Sequence, residues 1–282
     1  MQAVGQLGLR VSVIVSTYNS PRALRLVVAG LARQSVLDFE LLVADDGSGE
    51  ETRQLVQELA RTVPFEIRHV WHEDDGFRKW KILNAAVEAA RGDYLLFFDG
   101  DCVAPRHCVE THVRTACRNR YLTGAKALLS QSLTDRLTPE AVARGDLERP
   151  GLWWLQVRKS RRLLAGRIPG LREYLNANVP RPPSWRGENS SAFAEDIRRV
   201  GGFDERFAYG YGDAEFGHRL QNAGVMPISI RYTAPVFHLE HRRPYARAEL
   251  IEQNRRLLEE TIATKKTYTE FGLRAAHPGS ST

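Results

Sequence analysis

Apolar residues in the first hundred positions fall into short unbroken runs, separated by segments whose apolar positions recur every three or four residues. Residues 11–15 form a β-branched run, and residues 21–34 follow with Leu24, Val27, Val28 and Leu31 at helical spacing. The alternation then repeats. Strand patterns cover 39–44, 65–71 and 94–98, with helical patterns over 50–60 and 80–90 between them. Runs that are apolar throughout predict strands covered on both faces, and the intervening helices predict a mostly parallel sheet. Ligands of such sheets sit beyond the carboxyl ends of the strands.

Past residue 130 the pattern loosens. A basic helix-like stretch at 152–168 sets Arg158, Lys159, Arg161, Arg162 and Arg167 among Leu152, Trp153, Trp154, Leu155, Leu163 and Leu164, a composition that suits contact with a membrane surface or a helix closing a cleft. A turn-rich segment at 180–186, a short apolar segment at 191–194, a helix at 213–223, a strand pair within 226–238 and a charged amphipathic helix at 247–266 follow. No internal repeat is present in the sequence.

No apolar run approaches the roughly 18 residues needed to span a bilayer, and the N-terminus lacks a signal-peptide core, so a cytoplasmic location is expected. Cys102, Cys108 and Cys117 lack metal-ligand spacing and are expected to be packed free thiols. The net charge of +6 suits an anionic partner, whether nucleic acid, an anionic membrane or a diphosphate.

The strand ends narrow that choice. They read Ser16-Thr17-Tyr18-Asn19, Asp45-Asp46-Gly47-Ser48, His72-Glu73-Asp74-Asp75-Gly76 and Asp99-Gly100-Asp101. Acidic residues at one strand end also make ordinary turns and helix caps. Four polar clusters at one sheet edge, three of them acidic, describe a carboxylate-rich cleft, which accepts a phosphate only with a divalent cation between them. Asp99 and Asp101, one residue apart after an apolar strand, suit Mg²⁺ or Mn²⁺. The basic start of the third helix, Phe77-Arg78-Lys79-Trp80-Lys81, opposes the helix dipole unless an anion is held there.

The ordered runs VSVIVSTYN, QSVLDFELLVADDGS, EDDGFRKWKILNAA, GDYLLFFDGD, GENSSAFAEDIRRVGGFDERF and YGDAEFGHRLQNAG resemble the inverting family 2 glycosyltransferases of GT-A fold. The resemblance is to chondroitin-synthase-type and β-1,4-galactosyltransferase-like enzymes and spans residues 11–241. It implies a single α/β GT-A domain over 1–282, with a nucleotide-sugar-binding half at 10–128, an acceptor-binding and catalytic half at 129–245, and a C-terminal helix and tail at 246–282. The implied donor is a UDP-sugar, held by Ser16, Tyr18, Asp46, Arg78, Lys81 and Asp99. The implied metal, Mn²⁺ or Mg²⁺, is held by Asp99, Asp101 and His238, with His241 as the alternative histidine. Asp213 is the implied base that deprotonates an acceptor hydroxyl, and a helix N-terminus there would keep it ionised. The acceptor would be a glycan or glycolipid in bacterial surface polysaccharide or lipooligosaccharide synthesis. No nucleic acid is expected; peripheral contact with the inner membrane face is the alternative to a surface helix at 152–168 that closes the acceptor cleft.

One departure bears on the acceptor. Tyr209-Gly210-Tyr211-Gly212-Asp213 stands where the relatives read Trp-Gly-Gly-Glu-Asp, so Gly212 removes a carboxylate from the acceptor side and Glu215 becomes either its substitute or a helix-capping charge. The competing readings are a sugar nucleotidyltransferase or pyrophosphatase, and an inactive glycan-binding relative. The first predicts a glycine-rich phosphate loop after strand one, where this chain has Ser-Thr-Tyr-Asn.

Overall fold

A computed structural model of the chain describes residues 8–149, 157–159, 170–178, 184–241 and 248–273. The alternating first half forms β1 (Val11–Thr17), α1 (Pro21–Ala32), β2 (Glu40–Asp45), α2 (Glu50–Ala60), β3 (Ile67–Trp71), α3 (Lys79–Ala89) and β4 (Tyr94–Asp99). Then come β5 (Cys102–Val103), α4 (Cys108–Thr115), β6 (Arg120–Thr123) and β7 (Lys126–Leu129). The later strands are β8 (Val157–Lys159), β9 (Ser190–Phe193), β10 (Met226–Ser229) and β11 (Val236–His238). Longer helices in this half cover Gly212–Asn222 and Ala248–Ala263.

Seven strands make one sheet in the order β10-β6-β9-β4-β1-β2-β3. It is parallel except for β9, which runs antiparallel between β4 and β6. Alternate side chains of one strand feed two cores. Val11, Val13 and Val15 of β1 and Tyr94, Leu96 and Phe98 of β4 pack on one face with α1, α2 and α4, whereas Ile14, Leu95 and Phe97 pack on the other with α3, Trp185, Phe203 and Phe216. Burial of both faces is why these strands read as unbroken apolar runs.

A second sheet, β5-β11-β7-β8, lies at the end of β4. Two expectations are corrected by it. Residues 226–238 do hold two strands, but β10 joins β6 in the large sheet while β11 joins β5 and β7 in the small one, so they do not pair with each other. Residues 157–159, expected to be helical, form β8 against β7; the rest of the basic stretch lies outside the described residues. Among the described residues no helix is long and apolar enough to cross a membrane.

Candidate active site

Parallel pairing places the ends of β1, β2 and β4 side by side, with Thr17 opposite Asp45 and Ser16 opposite Asp99. The Ser16 hydroxyl donates to Asp99 Oδ1 at 3.2 Å. Gly100 then passes so near β1 that a Cβ on it would lie 2.5 Å from the Ser16 carbonyl oxygen. That crossing carries the chain from the large sheet into β5, where Cys102 pairs with His238 of β11 and the Leu239 N–H donates to the Asp101 carbonyl. The register delivers two imidazoles to one carboxylate. Asp101 Oδ2 lies 2.7 Å from His241 Nε2 and 3.4 Å from His238 Nε2.

Ligand atoms of Asp101, His238 and His241 all lie within 4.8 Å of one another. Burial pushes the Asp101 carboxyl up, but the His241 hydrogen bond and the nearby His238 outweigh it and hold it well below the usual range. Burial lowers the pKa of His238, which keeps its ring neutral with a lone pair to share. An ionised carboxylate with two imidazoles is a donor set that fits a divalent first-row metal, and the nitrogen donors suit it better to Mn²⁺ than to the all-oxygen preference of Mg²⁺. His241, expected only as an alternative to His238, stands beside it.

Asp99 is placed differently. Its Oδ1 accepts from Lys79 Nζ at 2.6 Å, on the first turn of α3. Burial lowers the Lys79 pKa, but Asp99 and Asp213 raise it further, so this enclosed ammonium stays charged. Sequence reasoning passed over Lys79 in favour of its neighbours. Arg78 instead pairs with Asp75 at 3.1 Å, both exposed, and Lys81 points to solvent. Helical rotation separates the three cations, and only position 79 faces the cleft.

Asp46 is 6% exposed, with Oδ1 2.9 Å from His72 Nε2 and Oδ2 accepting the Arg78 N–H at 3.0 Å. One oxygen thus holds the start of α3 and the other the end of β3. Tyr18 is half exposed, its hydroxyl donating to Asp74 Oδ2 at 2.9 Å, and presents a flat ring at the same edge.

Asp213 opens the Gly212–Asn222 helix, and its Oδ1 accepts the Gly187 N–H at 2.9 Å. Burial pushes its carboxyl up to about 7, against the pull of the Lys79 charge and with a further push from Glu188 and Asp99. The expectation that the helix terminus keeps it ionised is therefore corrected: desolvation and like charges exceed the dipole. Glu215 is corrected too. It is buried in a two-point ion pair with Arg219, at 2.7 and 2.9 Å, and accepts from Thr261 at 3.0 Å, so it neither contacts an acceptor nor acts as an exposed capping charge. Gly212 has a steric cause, since a Cβ there would lie 2.4 Å from the Trp80 ring.

The GENSS run supplies residues that sequence reasoning left without roles. Glu188, 6% exposed, faces Lys126 at 3.5 Å and Arg186 at 3.6 Å. Asn189 donates to the Ala125 and Ala234 carbonyls at 3.1 and 2.8 Å, and its Oδ1 lies 2.9 Å from His112 Nε2. Burial lowers His112 to about 4, so it is neutral, and its Nδ1 meets Ser191 at 2.7 Å. Gly187, in the same run, donates its N–H to the Asp213 carboxylate. A polar run entering a buried strand was the network's only sequence signal.

A mostly parallel sheet with helices on both faces and an aspartate–histidine cluster at the end of β4 is the arrangement of a GT-A fold. Over residues 12–155 the chain matches the model of glycosyl transferase family 2, and it belongs to that family. It is 28% identical over 249 residues to validoxylamine A glucosyltransferase of Streptomyces hygroscopicus subsp. jinggangensis, covering 83% of this chain and 56% of that protein. It is 27% identical over 247 residues to chondroitin synthase of Escherichia coli, covering 81% and 34%. The chain thus spans about half or less of the length of these relatives. Among solved structures, the mannosyltransferase PcManGT from Pyrobaculum calidifontis, in complex with GDP-Man and Mn²⁺, superposes with a TM-score of 0.56 at 20% identity, covering 84% of this chain and 59% of that one.

Proposed function

We propose that the chain is an inverting glycosyltransferase that moves a monosaccharide from a UDP-sugar to a hydroxyl of a glycan or glycolipid. The observation that carries this reading is the convergence of three unlike groups on one strand edge: the Asp101–His238–His241 cluster, the charged Lys79 on Asp99, and Asp213. Asp101, His238 and His241 would hold a divalent cation, Mn²⁺ or Mg²⁺, which when bound offsets negative charge on the departing diphosphate. Lys79 supplies a second positive charge to the same group. Asp99, fixed by Ser16 and Lys79, faces the ribose side, and the exposed ring of Tyr18 stacks on the base, with Asp46 behind it.

Asp213 takes the proton of the acceptor hydroxyl as that oxygen forms its bond to the anomeric carbon and the bond to the diphosphate breaks. Attack on the face opposite the leaving group inverts the centre. Relatives named chondroitin synthase and validoxylamine A glucosyltransferase support transfer of a sugar to an acceptor. We place the reaction in bacterial surface polysaccharide or lipooligosaccharide synthesis at the cytoplasmic membrane face. Calorimetric titration with UDP, GDP and CDP in Mn²⁺ tests the donor: UDP is expected to bind tightest, and equal affinities refute base selection by Tyr18 and Asp46.

A further inference from the structure

Four non-glycine residues among those described have φ in the left-handed region: Asn19, Asn119, Tyr211 and Lys265. Asparagine tolerates that region, and Lys265 follows the end of the Ala248–Ala263 helix, where left-handed residues are common. Tyr211, with φ 65°, has neither excuse. A bulky L side chain is disfavoured there, and glycine would sit without strain. Strain of this kind persists where the surroundings over-determine it, and it clusters at functional sites.

The surroundings do hold it. Asn254, 2% exposed on the C-terminal helix, accepts from the Ala208 N–H at 3.4 Å and donates to the Tyr209 and Gly210 carbonyls at 3.1 and 2.9 Å. Trp80 Nε1 donates to the Ala208 carbonyl at 3.3 Å, and its ring backs onto Gly212. On the far side, the Glu215 N–H donates to the Tyr211 carbonyl at 2.9 Å as the helix begins. The backbone at 211 is therefore gripped from both sides, yet the side chain is not spent on the core: it is 40% exposed. It stands two residues before Asp213, with glycines on either side.

We infer that Tyr211 is an acceptor-binding residue, its ring a platform for the apolar face of a sugar and its hydroxyl a partner for a sugar hydroxyl, with Asn254 holding the loop that presents it. An aromatic ring offers a large rigid contact surface with a polar tip. The Trp80 ring fills the place a side chain on Gly212 would take, so Tyr211 is the exposed side chain at this edge. The inference rests on the transferase reading of the cleft.

The test uses the full chain and Tyr211→Gly, a change that removes the ring and relieves the backbone. Binding of methyl glycosides of glucose, galactose, N-acetylglucosamine and N-acetylgalactosamine is measured by saturation-transfer NMR with UDP and Mn²⁺ present. The wild type is expected to bind at least one of them, and Tyr211→Gly to bind it about tenfold more weakly, a change equal to 1.4 kcal/mol. Its melting temperature should not fall and its UDP affinity should not change. Tyr211→Phe should keep the larger part of the affinity. Equal glycoside binding by wild type and Tyr211→Gly, or no glycoside bound by the wild type, overturns the inference. Failure of the wild type to bind UDP in Mn²⁺ instead strikes the donor reading beneath it.

Discussion

Replacing Asp213 with asparagine should stabilise the protein while slowing its reaction. The native carboxyl is pushed from 3.8 up to about 7, chiefly by burial. The folded state then binds more protons than the unfolded state between those values, so stability falls as pH rises. The contribution of Asp213 is fully present below about pH 4 and is lost as pH rises through about 7. At about 1.4 kcal/mol per pH unit, the gap sets a ceiling of about 4 kcal/mol on that loss. The amide carries no charge to desolvate and still accepts the Gly187 N–H, so Asp213→Asn should recover part of it, about 1–3 kcal/mol at pH 8. With ~2–4 °C per kcal/mol for a chain of this size, its melting temperature should exceed that of wild type at pH 8, and the two should converge below pH 4. Transfer, by contrast, should drop by about 10²–10⁴-fold, and the wild-type rate should climb with pH to a plateau above about 7. Melting curves and transfer rates across pH 4–9 read both. An asparagine variant that transfers near the wild-type rate removes Asp213 from the chemistry, and one less stable than wild type at pH 8 refutes the desolvation argument.

His241→Ala and His238→Ala should each weaken Mn²⁺ binding by about 10–100-fold, read by paramagnetic resonance titration, and wild type should prefer Mn²⁺ to Mg²⁺; unchanged affinity in both variants refutes the cluster as a metal site. Lys79→Met should cost UDP affinity about tenfold or more, whereas Lys81→Met should leave it unchanged, as calorimetry will show. Glu215→Ala strands the buried Arg219 and should cost about 3–5 kcal/mol in denaturant unfolding, while a Glu215→Ala protein that folds normally contradicts the paired geometry.

The parallel half was legible because period and burial agree: strands buried on both faces cannot hide from a hydropathy pattern, and α2 falls on the residues expected of it. Asp99-Gly100-Asp101 was legible for the same reason, since its place after β4 follows from the strand. Lys79 was not, because three cations in four residues look alike until the phase of α3 is known. Asn189 was hidden by distance along the chain, since its partner His112 lies more than seventy residues away, and His241, expected only as an alternative, could be set beside His238 only once β11 had its place in the small sheet. Burial around Asp213 is likewise a tertiary property, and it reversed the sign expected from the helix terminus alone. The departure at Gly212 was visible, but its cause, the Trp80 ring, belongs to another helix.

The central claim, that this cleft activates a UDP-sugar through a divalent cation, is tested most directly by screening nucleotide sugars for release of free nucleoside diphosphate, with Mn²⁺ and with excess chelator. The account predicts release of UDP from a UDP-sugar in Mn²⁺, none in chelator, and none from Asp101→Ala under either condition. Full turnover in chelator, or release from Asp101→Ala at the wild-type rate, would contradict it.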